Sequence, residues 1–269
     1  MPELPEVETT KLGLVPLICN QVVACVNLHR RNLRWEIPTH LPKTLAGQRV
    51  KKLSRRGKYL LIEFSAGTLI IHLGMSGSIL VAEANSPLKK HDHFELIFSN
   101  KTAMRLNDPR RFGAVLFSKN GSHPLLDGLG VEPLSADFNN TYLYEKSRRK
   151  QQNIKTFIMN SKIVVGVGNI YACESLFAQG IAPNRPAGSI SKKRYQNLTQ
   201  SIKKILTNAI KAGGTTLQDF TQVDGTPGYF AQTLQVYGRE NQPCSICNGK
   251  IIRIIQNQRS TFYCKKCQT

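Results

Sequence analysis

Four cysteines near the C-terminus have the types and spacing of a metal site: Cys244-x2-Cys247-x16-Cys264-x2-Cys267. Two Cys-x2-Cys pairs suit tetrahedral thiolate coordination of one zinc ion, one pair from each end of a hairpin. Four thiolates leave no open coordination position, so the metal is expected to be structural, stiffening a hairpin too small to fold alone. Residues 251–255 and 260–263 would be its arms, with Gln256-Asn257-Gln258 at the tip and Arg259 beside it. From Arg239 onward the segment carries Arg239, Lys250, Arg253, Arg259, Lys265 and Lys266 against one acid, Glu240. A rigid basic hairpin suits phosphate contact or entry into a groove. A disulfide pair is the alternative. Cys19, Cys25 and Cys173 follow no pairing pattern, which fits a reducing compartment better than a secreted disulfide framework.

The other end of the chain holds a candidate nucleophile. Removal of Met1, which a small second residue permits, makes Pro2 a terminal secondary amine. Attack by such an amine on an aldehyde carbon gives a positively charged iminium. Because an α-amino group titrates near 8 and a lysine near 10.4, the terminal amine has roughly a few hundred times more neutral form at pH 7. Neighbouring cations would raise that fraction further. Glu3 and Glu6 are expected within reach of the amine, where a carboxyl can shuttle protons. On spacing alone the plainer reading is favoured, that these acids support a helix N-terminus through its dipole.

Composition says what surrounds these groups. The 269 residues carry 37 Lys and Arg against 17 Asp and Glu, a formal net charge of +20. With 41 % hydrophobic residues the chain is no disordered basic tail, and its length suits one large or two modest domains. No run of about eighteen apolar residues offers a membrane span, and three glutamates in the first eight residues do not fit a signal peptide. A folded chain with this excess of positive charge is expected to meet a polyanion, nucleic acid first among them.

The elements that position the two sites follow from periodicity. Pro2, Pro5 and the early acids mark a helix running to about Cys19. Alternating or short apolar runs then predict strands over 22–28, 58–64, 69–73, 78–81, 94–98, 102–106 and 112–117, the rhythm of an antiparallel sandwich or barrel. A polar linker covers 130–140. Helices are expected over 169–178, entered through Gly166-Val-Gly168, and over 191–212. In the second, Tyr195, Leu198, Ile202, Ile205, Leu206 and Ala209 form one stripe before Gly213-Gly214 stops it. On period alone Met75 and Phe112 read as strand core, and Lys58 as a solvated charge at a strand start.

Taken together, several blocks resemble one family. Met1-Pro-Glu-Leu-Pro-Glu-Val-Glu8, Arg55-Arg-Gly-Lys-Tyr-Leu60, Ile71-His-Leu-Gly-Met-Ser-Gly77, Asp108-Pro-Arg-Arg-Phe-Gly113, Val164-Val-Gly-Val-Gly-Asn-Ile-Tyr-Ala172, residues 225–237 and the cysteine hairpin are similar, in order and over the full chain, to the bacterial formamidopyrimidine-DNA glycosylases. The resemblance implies an α+β multidomain protein. An N-terminal antiparallel β-sandwich with flanking helices would fill 1–130, a linker and helix–two-turn–helix domain 131–238, and a β-hairpin zinc finger 239–269. It implies base-excision repair: release of 8-oxoguanine opposite C and of formamidopyrimidines from double-stranded DNA, then nicking of the abasic site by β,δ-elimination through a Pro2 Schiff base. A monomer in the bacterial cytoplasm at the nucleoid, with no membrane partner, goes with it.

Roles carried over by the resemblance are these. Pro2 attacks the sugar C1′, Glu3 moves protons around the sugar, Lys58 serves β-elimination and a phosphate, and Arg259 grips phosphate and serves δ-elimination. His91, Arg110, Lys150 and Asn169 contact DNA, with His72 a weaker candidate. A His91–His93 metal pair is set aside. Because a base must leave the stack to be cut, Met75, Arg110 and Phe112 would fill the void, Arg110 pairing with the orphaned cytosine. Residues 215–228 match the loop that caps the extruded base. Endonuclease VIII is the nearest alternative; Leu4 and the set Met75, Arg110, Phe112 speak against it. A non-catalytic DNA-binding relative is the other, and intact Pro2, Glu3 and Lys58 speak against that.

Overall fold

The structure is a computed structural model and describes residues 2–215, 223, 224, 226 and 228–269. Most of the expected capping loop, 216–222 with 225 and 227, lies outside the described residues. Contacts divide the chain into two compact units, one of residues 1–127 and 212–231, the other of 128–211 and 232–269.

The first unit opens with α1 (Leu4–Ile18), started by Glu3 as N-cap and by Pro5 in its first turn. There follow β1 (Val23–Leu28), α2 (Leu41–Leu45), β2 (Lys52–Arg56), β3 (Tyr59–Phe64), β4 (Gly67–His72), β5 (Ser78–Glu83), β6 (Asp92–Phe98), β7 (Thr102–Asn107), β8 (Ala114–Ser118) and α3 (Pro124–Asp127). The strands form two antiparallel four-stranded sheets, in the orders β1-β6-β7-β5 and β2-β3-β4-β8. Strand β3 alternates half-buried and buried positions along its length, with Leu60, Ile62 and Phe64 inward. These residues join Leu69, Ile71, Phe94, Leu96 and Leu106 from the other strands and Val7, Leu14 and Ile18 from α1 in one core. That is the sandwich the alternating runs predict.

Polar cross-links fix the unit's edges. Arg55 of β2 donates from Nε to Glu8 of α1 at 2.8 Å, and Lys11 donates to the other Glu8 oxygen. Burial opposes the charge on Glu8, but the two donors outweigh it and hold its carboxyl below the usual range. Glu95 and Arg105 lie directly opposite each other on β6 and β7 and pair at 2.7 Å, both buried. Arg105 also donates to Ser86 Oγ, tying down the loop before β6.

In the second unit come α4 (Tyr142–Ser147), α5 (Ile154–Ile158), α6 (Asn169–Ala178), α7 (Lys192–Lys211), β9 (Ile251–Gln256) and β10 (Arg259–Cys264). The turns of 159–168 link α5 to α6, and Gly168 is the N-cap of α6. Helix α7 buries Tyr195, Leu198, Ile202, Leu206 and Ala209, as its stripe predicts, while Ile205 is half-buried. Asn257 and Gln258 both take positive φ, 47° and 59°, and so close β9 onto β10 in a two-residue hairpin. A cluster of Cys173, Phe177, Val236, Ile251 and Phe262 seats this hairpin against α6. Cys173, unaccounted for by pattern, is a core residue beneath it.

Two local expectations need correction. Strand β8 begins at Ala114, so Phe112 lies in the loop before it, 45 % exposed. Lys58 occupies the β2–β3 turn with Gly57, whose φ of 58° makes the tight reversal, and is not the first strand residue. Strand β2 and the short helices α2 to α5 are additional to the elements expected from periodicity.

Candidate active site

The chain's start is folded into the first unit. Pro2 is buried, and Glu3 is 1 % exposed at the N-cap of α1. Glu3 and Glu6 form a reciprocal capping box, in which the Glu3 N–H donates to Glu6 Oε2 at 2.8 Å. The other Glu6 oxygen, Oε1, accepts the Thr215 N–H at 2.8 Å. With each oxygen held by a main-chain donor, Glu6 anchors the N-terminal turn.

A cationic edge lies near the end of β4. Burial, then the charges of Lys58 and Arg34, push His72 down to about 4, so its imidazole is neutral at pH 7. The His72 Nδ1 accepts the Gly74 N–H at 3.0 Å, which puts the ring proton on Nε2. His72 can therefore donate a neutral hydrogen bond, and it does not supply a positive charge.

Beyond His72 two loops converge. Met75, in the β4–β5 turn, is 36 % exposed, and Phe112, in the β7–β8 loop, is 45 % exposed. The Arg110 guanidinium sits 5.2 Å from the Phe112 ring centroid. Both apolar residues thus depart from the strand-core reading. Their loops meet at buried Ser76 and Asp108, whose side chains are hydrogen-bonded to each other. His91 joins the same place through its main-chain oxygen, which accepts the Asp108 N–H at 3.0 Å.

Lys150, Asn169 and Arg259 belong to the second unit. Lys150 is exposed beyond α4, in a cavity of about 530 Å³ that Lys146, Arg149 and Asn160 also line. Asn169 opens α6 and donates from Nδ2 to the Ser260 carbonyl at 2.9 Å. Its buried Oδ1 has no hydrogen-bond partner among the described residues. Lys155, buried and overlooked in the sequence, donates from Nζ to the Ser260 carbonyl at 3.1 Å and to Thr261 Oγ1 at 2.6 Å. Arg259, exposed, precedes that doubly held Ser260. Glu174 of α6 accepts the N–H groups of Gln235, Val236 and Tyr237, which fixes the segment leading into the hairpin.

The four cysteine sulfurs lie within 4.8 Å of one another. Cys244 Sγ is 3.8 Å from Cys267 Sγ, and Cys247 Sγ is 3.5 Å from Cys264 Sγ. A tetrahedron with Zn–S near 2.3 Å has edges of about 3.8 Å, so the donor set fits one structural zinc. The Ile246 N–H points at Cys244 Sγ at 3.5 Å, a contact that suits a thiolate ligand. Cys244, Cys247, Cys264 and Cys267 would hold this zinc, which would stiffen the hairpin.

A two-sheet sandwich with buried Pro2 and Glu3, a helical unit whose α6 is capped by Gly168 and a four-cysteine hairpin define the class of helix–two-turn–helix DNA glycosylases. Family models bear this out: the formamidopyrimidine-DNA glycosylase N-terminal domain matches residues 1–115, the formamidopyrimidine-DNA glycosylase H2TH domain 129–221, and the zinc finger found in FPG and IleRS 241–269. The chain belongs to the formamidopyrimidine-DNA glycosylase family. It is 72 % identical to the formamidopyrimidine-DNA glycosylase of Ruthia magnifica subsp. Calyptogena magnifica over 100 % of both chains. It is 52 % identical to that of Alteromonas mediterranea, again over the whole of both. Among solved structures it is similar to the MutM (Fpg) protein of Thermus thermophilus, with TM-score 0.89 and 35 % identity over 99 % of this chain and 98 % of that one. It is also similar to Lactococcus lactis Fpg in complex with DNA containing N7-benzyl-Fapy-dG, with TM-score 0.90 and 32 % identity over all of both chains.

Proposed function

We infer that this protein is a DNA glycosylase and abasic-site lyase that removes oxidised purines, 8-oxoguanine opposite C and formamidopyrimidines, from double-stranded DNA. The observation that carries the reading is the projection of Met75, Arg110 and Phe112 from two adjoining loops. Exposed Met and Phe side chains gain from burial, and an unstacked duplex step offers them a matching slot. Arg110, a planar fork beside Phe112, suits the unpaired edge of the orphaned cytosine.

The chemistry belongs to Pro2 and Glu3. After loss of Met1 the Pro2 amine attacks C1′; the bond from C1′ to the base nitrogen breaks, the base leaves with its electron pair, and the proton shed by the Pro2 nitrogen neutralises it. The nitrogen lone pair and ring opening then give the iminium, with Glu3 delivering a proton to the sugar oxygen. Loss of the C2′ proton expels the 3′ phosphate, a step that Lys58 supports by holding phosphate, and Arg259 supports the second elimination. His91, Lys150 and Asn169 contact the backbone, and His72 adds a neutral donor.

We read 1–130 as the catalytic segment, 131–238 as the linker and helical DNA-binding segment, and 239–269 as the finger. The protein works as a monomer at the nucleoid in the bacterial cytoplasm; none of the described helices is long and apolar enough to cross a membrane. Borohydride reduction with an 8-oxoguanine·C duplex is the test. A covalent complex that maps to Pro2, and is lost in Pro2→Gly, supports the reading. An absent adduct with Met1 removed, or a marked preference for thymine glycol, overturns it.

A further inference from the structure

We propose that Ser76 and Asp108 are positioning residues that join the Met75 turn to the Arg110–Phe112 loop, so that the three void-filling side chains enter DNA as one rigid unit. The inference rests on the function proposed above and adds to it two buried residues.

The contacts run across the two loops. Ser76 Oγ donates to Asp108 Oδ1 at 2.8 Å and accepts the Arg110 N–H at 3.1 Å. Asp108 Oδ2 accepts the Gly113 N–H at 2.7 Å. One hydroxyl and one carboxylate therefore hold the main chain on both sides of Phe112 and place it against the residue after Met75. Ser76 is 4 % exposed and Asp108 wholly buried, so water does not compete for these bonds.

Backbone geometry gives an independent sign of the same join. Gly74 has φ of 65°, and a Cβ there would stand 2.4 Å from the Gly113 nitrogen and from the Phe112 carbonyl carbon. At Gly113 a Cβ would meet the His72 oxygen at 2.9 Å. The two loops touch main chain to main chain, and only glycine at both positions permits it. Asp108 extends the join outward: its carbonyl accepts the Arg111 N–H at 3.2 Å and meets His93 Nε2 at 2.9 Å, and its own N–H is bound to the His91 oxygen.

A plainer account exists for part of this. An Asp at the start of a loop commonly accepts a main-chain N–H a few residues on, which alone explains the bond to Gly113. It does not explain why the second oxygen is committed to a serine of another loop, nor why that serine accepts from Arg110. The consequence is specific. Loosening the join frees Arg110 to shift relative to Met75, so reading of the opposite base should suffer more than the elimination chemistry.

The experiment compares wild type, Ser76→Ala and Asp108→Asn on three duplexes: 8-oxoguanine opposite C, 8-oxoguanine opposite A, and a preformed abasic site opposite C. The ratio of excision opposite C to excision opposite A is independent of the folded fraction, and so is the ratio of excision to abasic-site nicking. In both variants we expect each ratio to fall by about fivefold, the equivalent of one hydrogen bond near 1 kcal/mol. Rates that fall together with both ratios kept would show a merely structural role and overturn the inference. Wild-type excision of 8-oxoguanine in the same assay separates that outcome from failure of the functional reading, which would remove the inference as well.

Discussion

Glu6 and Thr215, 209 positions apart in the sequence, are joined by a hydrogen bond of 2.8 Å from the Thr215 N–H to Glu6 Oε1. The same carboxylate holds the Glu3 N–H with its other oxygen, so the turn that carries Pro2 and the segment returning from α7 are fixed to one group. Gln in place of Glu6 keeps one acceptor but turns an amide N–H toward a main-chain donor. Leaving a buried donor unsatisfied costs about 1–3 kcal/mol. For a protein of this size Glu6→Gln should therefore lower Tm by roughly 2–10 °C in the absence of DNA. A scanning calorimetry trace that superimposes on wild type would show that the clamp contributes no stability.

Zinc should matter to the hairpin first. Structural zinc contributes roughly 10–16 kcal/mol of apparent binding free energy in finger peptides at neutral pH, far more than a two-stranded ribbon can replace. Chelation, or Cys244→Ser, should unfold 239–269 and weaken binding to duplex DNA while the sandwich stays folded. Tryptophan fluorescence follows the sandwich separately, because Trp35, in the first unit, is the chain's one tryptophan. Unchanged DNA affinity in the metal-free protein would refute the expectation.

The neutral imidazole of His72 sets a pH dependence. Burial, then the charges of Lys58 and Arg34, hold it at about 4 in the folded protein, while Asp108 pulls the other way. In the unfolded chain it titrates near 6.5. Between those values the unfolded state binds the extra proton, so the contribution of His72 is complete above about pH 6.5 and is lost as pH falls toward 4. Burial also pushes His93 down, with the same sign. In urea unfolding across that window, His72→Gln should show a shallower loss of stability with acid than wild type. Parallel curves would mean that His72 is not the group responsible.

How much of this is legible in the sequence depends on what kind of signal each part leaves. Cys244, Cys247, Cys264 and Cys267 are readable because metal geometry imposes spacing on the chain itself. The alternating run of β3 and the stripe of α7 are readable because one face of each must be buried. Periodicity misplaces Phe112 for the same reason: an aromatic next to Ala114 and Val115 continues a strand pattern, and only its exposure shows that the strand begins later. Strand β2, reading Lys-Leu-Ser-Arg-Arg, places basic side chains where alternation would put apolar ones. Ser76 and Asp108 leave no periodic signal, although both fall within blocks that carry the resemblance, and Lys155 leaves none because its partners lie on β10. Resemblance supplies the roles of Met75 and Arg110 that periodicity would assign to core and surface.

Lys155 offers the last test, since it joins the helical part of the second unit to the hairpin. Its side chain is 2 % exposed and donates to the carbonyl of Ser260 and the hydroxyl of Thr261, the two residues after Arg259. Asn169 supplies a second donor to the same carbonyl. Lys155→Met keeps much of the length of the side chain but removes the donor, leaving Thr261 Oγ1 without it and Ser260 held by Asn169. The start of β10 should then wander, and with it the Arg259 guanidinium. If Arg259 serves the second elimination, this variant should accumulate the β-elimination product at the expense of the β,δ product. Loss of one such bond, about 1 kcal/mol, corresponds to a change of roughly fivefold. Gel analysis of the 3′ ends, with zinc content measured alongside, makes the comparison. A product ratio equal to wild type at full zinc occupancy would show that Lys155 holds the hairpin without positioning Arg259.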